Sequence, residues 1–406
     1  MKSYVRKRYK LPELFEMYMG KTPDRNNPEY WENGTHPWIS IADMTSNGKF
    51  ITQTKECITD KAIRETGIKP INYNTVIMSF KLSVGKVSKV ATAITPAYSN
   101  EAIMTFEIPS VPVGSPMILS DYAYYLLQSL DFTNAGNKAV MGKTLNKAIL
   151  QNTTVNVHMD LEVQSEIIAV LDKVTALIDK REEQFELLED LIKARFVELF
   201  GNLGGNDKKW DEIPLGSVCE QVKRYPTFCN MEYLEKGTRV IRIGNILLDG
   251  HMDINDENYV FVYEDVNDDY PDTVIEKNDI VMAVRGDGSA AKRIGIITEE
   301  KLIGSNISPN LIRIKANKKS VLPLFLFHYL TSEVGQKRLD SYVNKTAKKN
   351  IAAKDIVKVL TPVPPLELQA EYCAFVEQTN KTKLGIQKSL EQLETLKKAL
   401  MQKYFG

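Results

Sequence analysis

Positively charged side chains beside glycine mark the segments of this sequence that are best suited to bind a ligand. Two such segments span residues 81–86 and 285–293, and each follows a short apolar stretch. Lysine and arginine bind phosphate oxygens, and glycine allows a close backbone approach. The candidate residues are Lys81, Lys86, Lys89, Lys143, Arg285, Lys292, Arg293, Lys345, Lys348 and Lys349. For each of them taken singly, ordinary solvated charge is an equally good explanation.

Two stretches resemble the end of a nucleotide-binding P-loop, Gly20-Lys21-Thr22 and Gly142-Lys143-Thr144. A P-loop has a further glycine five positions before the glycine of this triplet. This chain has Phe15 and Asn137 at those positions. Neither stretch therefore predicts nucleotide binding, and both are expected to be loops.

Other catalytic patterns are also incomplete. Asn27-Pro28-Glu29-Tyr30 comes close to the signature with which adenine methyltransferases hold the target amine, but Glu29 replaces its second proline. Asp287 with Glu299 and Lys301 matches a nuclease carboxylate set only at a spacing that is common by chance. The four cysteines and four histidines are scattered without metal-ligand spacing. We expect a non-catalytic, cytoplasmic protein with reduced thiols and no metal.

Length and charge indicate several globular domains with an uneven distribution of charge. The 406 residues are 43% hydrophobic, which suits two to three domains. The formal net charge is zero, but residues 1–150 hold 18 basic and 13 acidic side chains, a net of +5 (18 − 13). Residues 161–201 hold 5 basic and 10 acidic side chains, and residues 249–279 hold 11 acids and one lysine. The basic surplus is therefore separated from most of the acids.

The last 41 residues of the chain repeat an earlier stretch without a gap. Leu161–Gly201 aligns with Leu366–Gly406, and 13 of the 41 positions are identical. The identical pairs include Leu161/Leu366, Gln164/Gln369, Leu191/Leu396 and Phe200/Phe405. Such a match indicates duplication, so the chain consists of two halves in the same order.

Both repeated stretches are predicted to be helices. Apolar residues at 167, 171, 174, 178, 185, 188, 192 and 199 follow a 4-3 spacing, which is typical of a coiled-coil seam. Each helix would be about 35 residues long, or about 50 Å. Arg181 in the first copy aligns with Ile386 in the second. We therefore expect two unlike helices that pair within one chain, with Gly201 as a stop and residues 202–207 as a linker.

The blocks before the two helices are predicted to be divergent copies of one strand-rich fold. Val76–Phe80 and Ile280–Val284 are short apolar strands at matching places, each followed by a basic loop. An aromatic-rich helix follows in each half, at residues 121–130 and 324–332. The expected fold class is α+β, with two similar strand-rich domains, each followed by a long helix.

This organisation resembles the specificity (S) subunit of type I restriction-modification systems over nearly the whole chain. The sharpest local features are Pro362-Val-Pro-Pro-Leu-Glu-Leu-Gln369 and Leu161-Glu-Val-Gln164, at the start of the two helices. The start of each half also fits, through residues 12–14, 20–23, 29–31 and 37–40 in the first half and 210–216 in the second. Only the second helix is preceded by Pro364-Pro365, so the entry into the first helix is expected to differ.

The resemblance implies a division into two target recognition domains and two spacer helices. The boundaries would be 1–155 and 202–360 for the domains, and 156–201 and 361–406 for the helices. Each domain would read one half of a bipartite site in double-stranded DNA, and the helices would pair as an antiparallel coiled coil. The ten basic residues named above become candidates for DNA contacts.

The resemblance also implies partners and leaves alternatives open. Two modification (methyltransferase) subunits would dock on the helices, where Glu182 and Glu183 are candidate contacts; whether motor or restriction subunits join them stays open. S-adenosylmethionine, ATP and Mg would belong to those partners, and this chain would carry no cofactor. A coiled-coil adaptor that joins two protein-binding modules without sequence-specific DNA binding is the main alternative. A stand-alone methyltransferase or nuclease is the other.

Overall fold

The chain folds into two compact units in a computed structural model. The structure describes residues 5–81, 84–109, 117–130, 132, 147–225, 232–284, 293–343 and 350–406. The first unit comprises residues 1–183 and 387–406, and the second comprises residues 184–386. Each unit therefore includes one strand-rich block together with a part of each long helix.

The first unit is built on two sheets and a two-stranded ladder. Its main sheet has the strand order β2-β9-β6-β7-β4, a smaller sheet has the order β5-β3-β8, and β1 pairs antiparallel with β10. The strands are β1 Arg6–Lys10, β2 Glu16–Met19, β3 His36–Ile39, β4 Phe50–Ile51, β5 Glu56–Ile58, β6 Val76–Ser79, β7 Val87–Val90, β8 Tyr98–Ser99, β9 Ile103–Glu107 and β10 Thr154–His158. The helices before the first long helix are α1 Leu11–Leu14, α2 Ile41–Asn47, α3 Asp60–Thr66, α4 Ser120–Gln128 and α5 Lys147–Asn152.

The second unit repeats this arrangement except for one edge strand of the main sheet. Its main sheet has the order β12-β18-β15-β16, its smaller sheet has the order β14-β13-β17, and β11 pairs antiparallel with β19. The strands are β11 Glu212–Pro214, β12 Cys219–Arg224, β13 Thr238–Ile241, β14 Val260–Val262, β15 Ile280–Ala283, β16 Ile294–Ile296, β17 Asn306–Ile307, β18 Leu311–Ala316 and β19 Leu360–Pro362. In both small sheets the central strand pairs antiparallel on one side and parallel on the other. The predicted duplication of the fold is confirmed, apart from β4, which has no counterpart strand among the described residues.

The two long helices are α6, Leu161–Phe200, and α11, Leu366–Phe405, each 40 residues. The remaining helices of the second unit are α7 Val266–Asp269, α8 Pro323–Thr331, α9 Glu333–Asp340 and α10 Ala353–Ile356. Both long helices are confirmed, and they are about five residues longer than the spacing predicted. Gly201 follows α6 with a φ of 75°, the left-handed conformation that ends helices at glycine.

The long helices pair antiparallel within each unit. In the second unit, Glu189 pairs with Lys383 at 2.9 Å and Arg195 pairs with Glu371, so numbers rise along α6 as they fall along α11. In the first unit, the beginning of α6 shares an apolar core with Phe405 at the end of α11. The buried seam of α6 lies where the 4-3 spacing predicted it, at Ile167, Leu171, Val174, Ile178 and Ile192.

A buried glutamine fixes the start of each long helix to its own strand-rich block. Gln164 accepts a hydrogen bond from the backbone N–H of Leu119 at 2.9 Å, and Gln369 accepts one from Leu322 at 2.8 Å. Each amide group also donates to two backbone carbonyls, one of them in the segment that leads into the helix. Both side chains are fully buried. The two long helices were expected to begin differently, because only the second is preceded by Pro364-Pro365. These hydrogen bonds do not show that difference.

The identical phenylalanines at the ends of the long helices lie in the apolar cores. Phe200 packs on Phe325 in the second unit, with ring centroids 4.6 Å apart, and Phe405 packs on Tyr122 in the first unit at 5.2 Å. Leu203, in the predicted linker, is also buried in the core of the second unit. None of the helices that the structure describes is both long and apolar enough to cross a membrane.

Candidate nucleic-acid interface

Two of the predicted phosphate-binding residues, Lys81 and Lys86, belong to one turn between strands of the first unit. The turn joins β6 to β7, and Gly85 within it has a φ of 90°. Ser79 and Lys86 hold the turn together, because the Ser79 N–H donates to the Lys86 carbonyl at 2.9 Å and the Lys86 N–H donates to the Ser79 hydroxyl at 3.1 Å. The Lys81 ammonium lies 5.5 Å from the Phe80 ring centroid. Both lysines are partly exposed, so their charges can reach a ligand in solvent.

The loop also contacts helix α2, which the sequence pattern did not connect with it. The Lys86 ammonium contacts the Thr45 hydroxyl in α2. Ser40 begins α2 by accepting a hydrogen bond from the Asp43 N–H, while the Asp43 carboxylate accepts one from the Ser40 N–H at 2.8 Å. This reciprocal pair fixes the start of the helix. No charge pattern pointed to α2, because its contribution is a hydroxyl beside a lysine.

Lys89 lies in the interior rather than beside the other two lysines. It is in β7, its side chain is fully buried, and its ammonium is 2.8 Å from Asp121. Lys49 joins the same cluster at 3.0 Å from Asp121 and 2.7 Å from Asp172, and Tyr125 donates to Asp172 at 2.5 Å. Burial lowers the pKa of Lys89, against the opposing effect of Asp121. In this geometry Lys89 cannot reach a phosphate in solvent, and the DNA-contact prediction for it is replaced by a structural role.

In the second unit, Arg293 immediately precedes β16 and is partly buried. Its guanidinium donates to the Ile246 carbonyl at 3.2 Å, while its Nε atom is buried without a hydrogen-bond partner among the described residues. The backbone of Arg293 also accepts a hydrogen bond from the Ala283 N–H at 2.8 Å, which extends the pairing of β15 with β16. The other predicted residues lie outside the described residues: Lys143, Arg285, Lys292, Lys345, Lys348 and Lys349.

The long helices carry a second set of apolar side chains that the seam does not bury. Leu191 and Leu396, an identical pair in the repeat, are 47% and 46% exposed. In addition, Leu177, Leu187 and Val197 are about half exposed. Glu182 and Glu183, the predicted partner contacts, are exposed on α6. The predicted 4-3 spacing left these apolar positions out of the seam, and the leucine repeated at 191 and 396 was a further signal for them.

Comparison with known proteins gives a consistent result over most of the chain. Residues 6–189 and 207–395 each match the family model described as the type I restriction modification DNA specificity domain. The chain is 25% identical to the type I restriction enzyme EcoBI specificity subunit of Escherichia coli, in an alignment that covers 76% of this chain and 69% of the relative. It is 22% identical to the MjaIX specificity subunit of Methanocaldococcus jannaschii, with 97% and 91% covered.

Solved structures show a similar fold. The type I restriction-modification S subunit from M. genitalium aligns with a TM-score of 0.53 and 16% identity, covering 99% of this chain and 96% of the other. A chain from a structure concerned with complex assembly and conformational transition of the type I R-M system aligns with a TM-score of 0.61 and 17% identity. That alignment covers 100% of this chain and 98% of the other.

Proposed function

We propose that this chain, which belongs to the type I restriction modification DNA specificity family, reads a bipartite site in double-stranded DNA with one strand-rich module per half-site. The family resemblance inferred from the sequence is confirmed. The chain is a specificity subunit, which recognises DNA and assembles with the other subunits of its complex but is not catalytic itself. The proposal concerns how it does so.

The observation that carries the proposal is the repetition of one sheet topology in the two units. The β6–β7 pair and the β15–β16 pair take the same place in their sheets, and each is joined by one of the two basic glycine-containing segments. Two copies of one fold, each with its own basic loop, suit a target that also has two parts. We take residues 1–155 and 202–360 as the recognition modules and 156–201 and 361–406 as the spacer helices.

Within the first module, Lys81 and Lys86 are the residues best placed to contact a phosphate. They lie at either side of one turn and are partly exposed, whereas Lys89 is enclosed. In the second module the matching contacts would come from Arg285, Lys292 and Arg293. Lys143 and the group Lys345, Lys348 and Lys349 remain in the proposal as further contacts. Phosphate contacts of this kind position a protein on DNA, while contacts to base edges supply specificity.

Two modification subunits would dock on the long helices. The intrachain seam leaves the apolar side chains Leu177, Leu191 and Leu396 exposed, and association with a partner would remove them from water. Exposed acids such as Glu182 and Glu183 would contribute to the same surface. S-adenosylmethionine, ATP and Mg would be bound by partner subunits and not by this chain.

A footprinting experiment on the assembled complex tests the proposal. The complex with modification subunits should protect two short DNA segments separated by an unprotected or weakly protected gap. Lys81→Ala with Lys86→Ala should weaken binding to all sequences and reduce the salt dependence by about two units of log–log slope, roughly one per phosphate contact. Lys55→Ala, which changes an exposed lysine elsewhere in the module, is the control. A complex that assembles normally but protects no specific sequence would favour the adaptor alternative.

A further inference from the structure

The second unit contains a cavity of about 630 Å³ beside its part of the long helices. Phe196 and Val197 of α6, Tyr372 of α11, and Phe327 and His328 of α8 contribute to its walls. Val197 is 59% exposed, so the cavity opens at the surface. A volume of this size accommodates a large side chain or several smaller ones.

The titratable groups on the α8 and α11 side of this cavity are neutral or paired with an opposite charge. His328 lies 2.5 Å from the Tyr372 hydroxyl through Nδ1, and burial lowers its pKa to about 4, so the imidazole is neutral at pH 7. Lys383, also in the lining, is paired with Glu189 at 2.9 Å. An apolar group that packs against these side chains therefore removes no water from an unpaired charge.

An exposed apolar turn lies at the edge of the cavity. The Leu247 N–H donates to the His251 carbonyl at 2.9 Å, and the Gly250 N–H donates to the Leu247 carbonyl at 3.1 Å. Gly250 has a φ of 84°, and a Cβ atom there would lie 2.5 Å from the Phe327 ring, so the turn is seated directly on α8. Leu248 at the tip is 83% exposed, and Leu247 is 42% exposed. Apolar side chains at a turn are costly to leave in water unless a partner covers them.

The charges around the turn indicate what kind of partner covers it. Three acidic residues lie in the turn or shortly after it in the sequence: Asp249, Asp253 and Glu257. Among the residues that the structure describes, Asp253 and Glu257 form no salt bridge, and Asp249 meets only His251. A phosphate backbone would be repelled here. A protein surface with an apolar anchor flanked by lysine or arginine is complementary to it.

At the corresponding place, the described part of the first unit does not have an exposed apolar turn flanked by acidic residues. The Lys49 carbonyl accepts a hydrogen bond from Lys89 in β7 at 2.7 Å, as the Gly250 carbonyl does from Ile296 in β16 at 3.3 Å. Before Lys49 the chain has Thr45 and Ser46, which are polar, and the interior is filled by the Lys49 and Lys89 cluster. At this place the described part of the first unit therefore has polar side chains and an ion cluster, where the second unit has an apolar turn beside a cavity.

We propose that the cavity and the Leu247–Gly250 turn form a docking site for one modification subunit, which inserts an apolar side chain flanked by basic residues. The inference rests on the proposed function and deepens it, since it places one contact on the second unit in addition to the helices. The two modification subunits are then held non-equivalently, because the described part of the first unit has polar side chains and an ion cluster at the corresponding place.

Native mass spectrometry of the full chain with its modification subunit tests the inference. Leu247→Ser with Leu248→Ser removes the apolar tip, and Thr331→Trp places a large side chain at the exposed end of α8 that lines the cavity. Either variant should weaken the binding of one of the two modification subunits and raise its dissociation constant by about tenfold or more. A complex with a single modification subunit should then accumulate. Asp249→Lys should act in the same direction with a smaller effect. Tyr73→Ser, which removes a 54% exposed side chain from the first unit, is the matched control.

The outcomes separate the inference from the function on which it rests. Variants that keep both modification subunits at wild-type concentrations overturn the docking site alone. A wild-type chain that binds no modification subunit overturns the proposed assembly. It also shows that a modification subunit does not occupy the cavity. If the chain alone forms a dimer that the serine variant abolishes, a second copy is the occupant and the inference is wrong. Loss of DNA affinity with both modification subunits retained would likewise contradict it. Unchanged thermal unfolding of each variant shows that the effects are not due to misfolding.

Discussion

The two units place different chemistry at the corresponding junction of sheet, short helix and long helix. The first unit has a cluster of two lysines, two aspartates and a tyrosine, whereas the second has aliphatic side chains, a neutral histidine and a cavity. Strand register and helix position give the correspondence. The matching pairs are Lys89 and Ile296, Asp121 and Leu324, Tyr125 and His328, and Asp172 and Glu377.

This difference shows that the duplicated fold does not require one particular set of side chains at the junction. The shared elements are the sheet order and the buried Gln164 and Gln369, which make the same hydrogen bonds in both units. A buried ion cluster and an apolar junction can each support the same backbone, since hydrophobic replacement of a buried pair is often neutral in stability. The second unit is thus free to leave space that a partner can use.

The largest expected effect comes from breaking the ion cluster of the first unit. Asp121→Leu introduces the residue that the second unit has at this position. Because Lys89 is fully buried and loses its nearest carboxylate, we expect the free energy of unfolding of the first unit to fall by about 3 kcal/mol. Chemical denaturation, followed by a probe in the first unit, measures this loss.

The control replaces both members of the Lys89–Asp121 pair with the residues at the matching positions of the second unit. Asp121→Leu with Lys89→Ile makes this part of the first unit resemble the second and removes the unpaired charge. The double variant should recover most of the lost stability, with a coupling energy of about 2 kcal/mol in the double-mutant cycle. If the double variant is less stable than Asp121→Leu alone, the two junctions are not interchangeable and the comparison fails.

The second prediction concerns pH and is confined to the second unit. The pKa of His328 is lowered to about 4, mainly by burial, from the ordinary value of 6.5. Well above pH 6.5 the histidine is neutral in both the folded and the unfolded chain, so its protonation does not affect the free energy of unfolding. As the pH falls from 6.5 to 4, the unfolded chain takes up a proton that the folded chain does not, so the second unit should lose about 3 kcal/mol of stability.

His328→Phe removes this titration and provides the comparison. The variant has a lower baseline, because Tyr372 loses its hydrogen-bond partner. Its unfolding free energy should nevertheless depend less on pH between 6.5 and 4 than that of the wild type. The first unit has Tyr125 at this position and should not contribute to the difference. Parallel pH profiles for variant and wild type would show that His328 is not held neutral.

The third prediction tests a feature that the units share. Gln164→Ala and Gln369→Ala each leave one buried N–H and two carbonyls without their side-chain partner. Each should destabilise its own unit by about 2 kcal/mol, and the two losses should agree within about 1 kcal/mol. Denaturation with a separate probe in each unit measures both. A large effect in one unit and none in the other would mean that the repeated glutamines do not play equivalent roles.

The smallest expected effect on stability is at the turn of the first module. Lys86→Ala removes an exposed charge and a contact with Thr45, so the free energy of unfolding should change by less than about 0.5 kcal/mol. DNA affinity of the assembled complex should still fall, with a salt dependence reduced by about one unit of slope. A variant with full DNA affinity at every salt concentration would show that Lys86 does not contact DNA and is an ordinary surface charge.

Periodicity predicted the long helices and the matching strands because both depend on local apolar patterns. The 4-3 spacing located the buried seam, and Val76–Phe80 and Ile280–Val284 were recognisable as short apolar runs. The helices proved longer than predicted, since their ends are fixed by contacts that are distant in sequence. One such contact joins Phe405 to Tyr122, and another joins Gln164 to Leu119.

The placement of individual charges could not be predicted in the same way. Lys89 lies in a strand whose four residues are all buried, and its partner Asp121 is 32 residues further along the chain. A basic residue near a glycine loop therefore resembled a phosphate contact when only the sequence was considered. Similarly, the spacing assigned Ile192 to the seam, but it did not show whether Leu191 beside it would be covered by another part of the chain or left exposed. Pairing over long distances in sequence determines both outcomes.

Exchange of one recognition module tests the central claim most directly. Residues 1–155 are replaced by the equivalent module of a related specificity subunit, and methylated adenines are mapped by single-molecule sequencing in cells that contain the complete complex. If each module reads its own half-site, the new methylation site differs from the original in one half only and keeps the other half unchanged. A site that changes in both halves, or a folded and fully assembled complex that methylates no defined site, would contradict independent reading by the two modules.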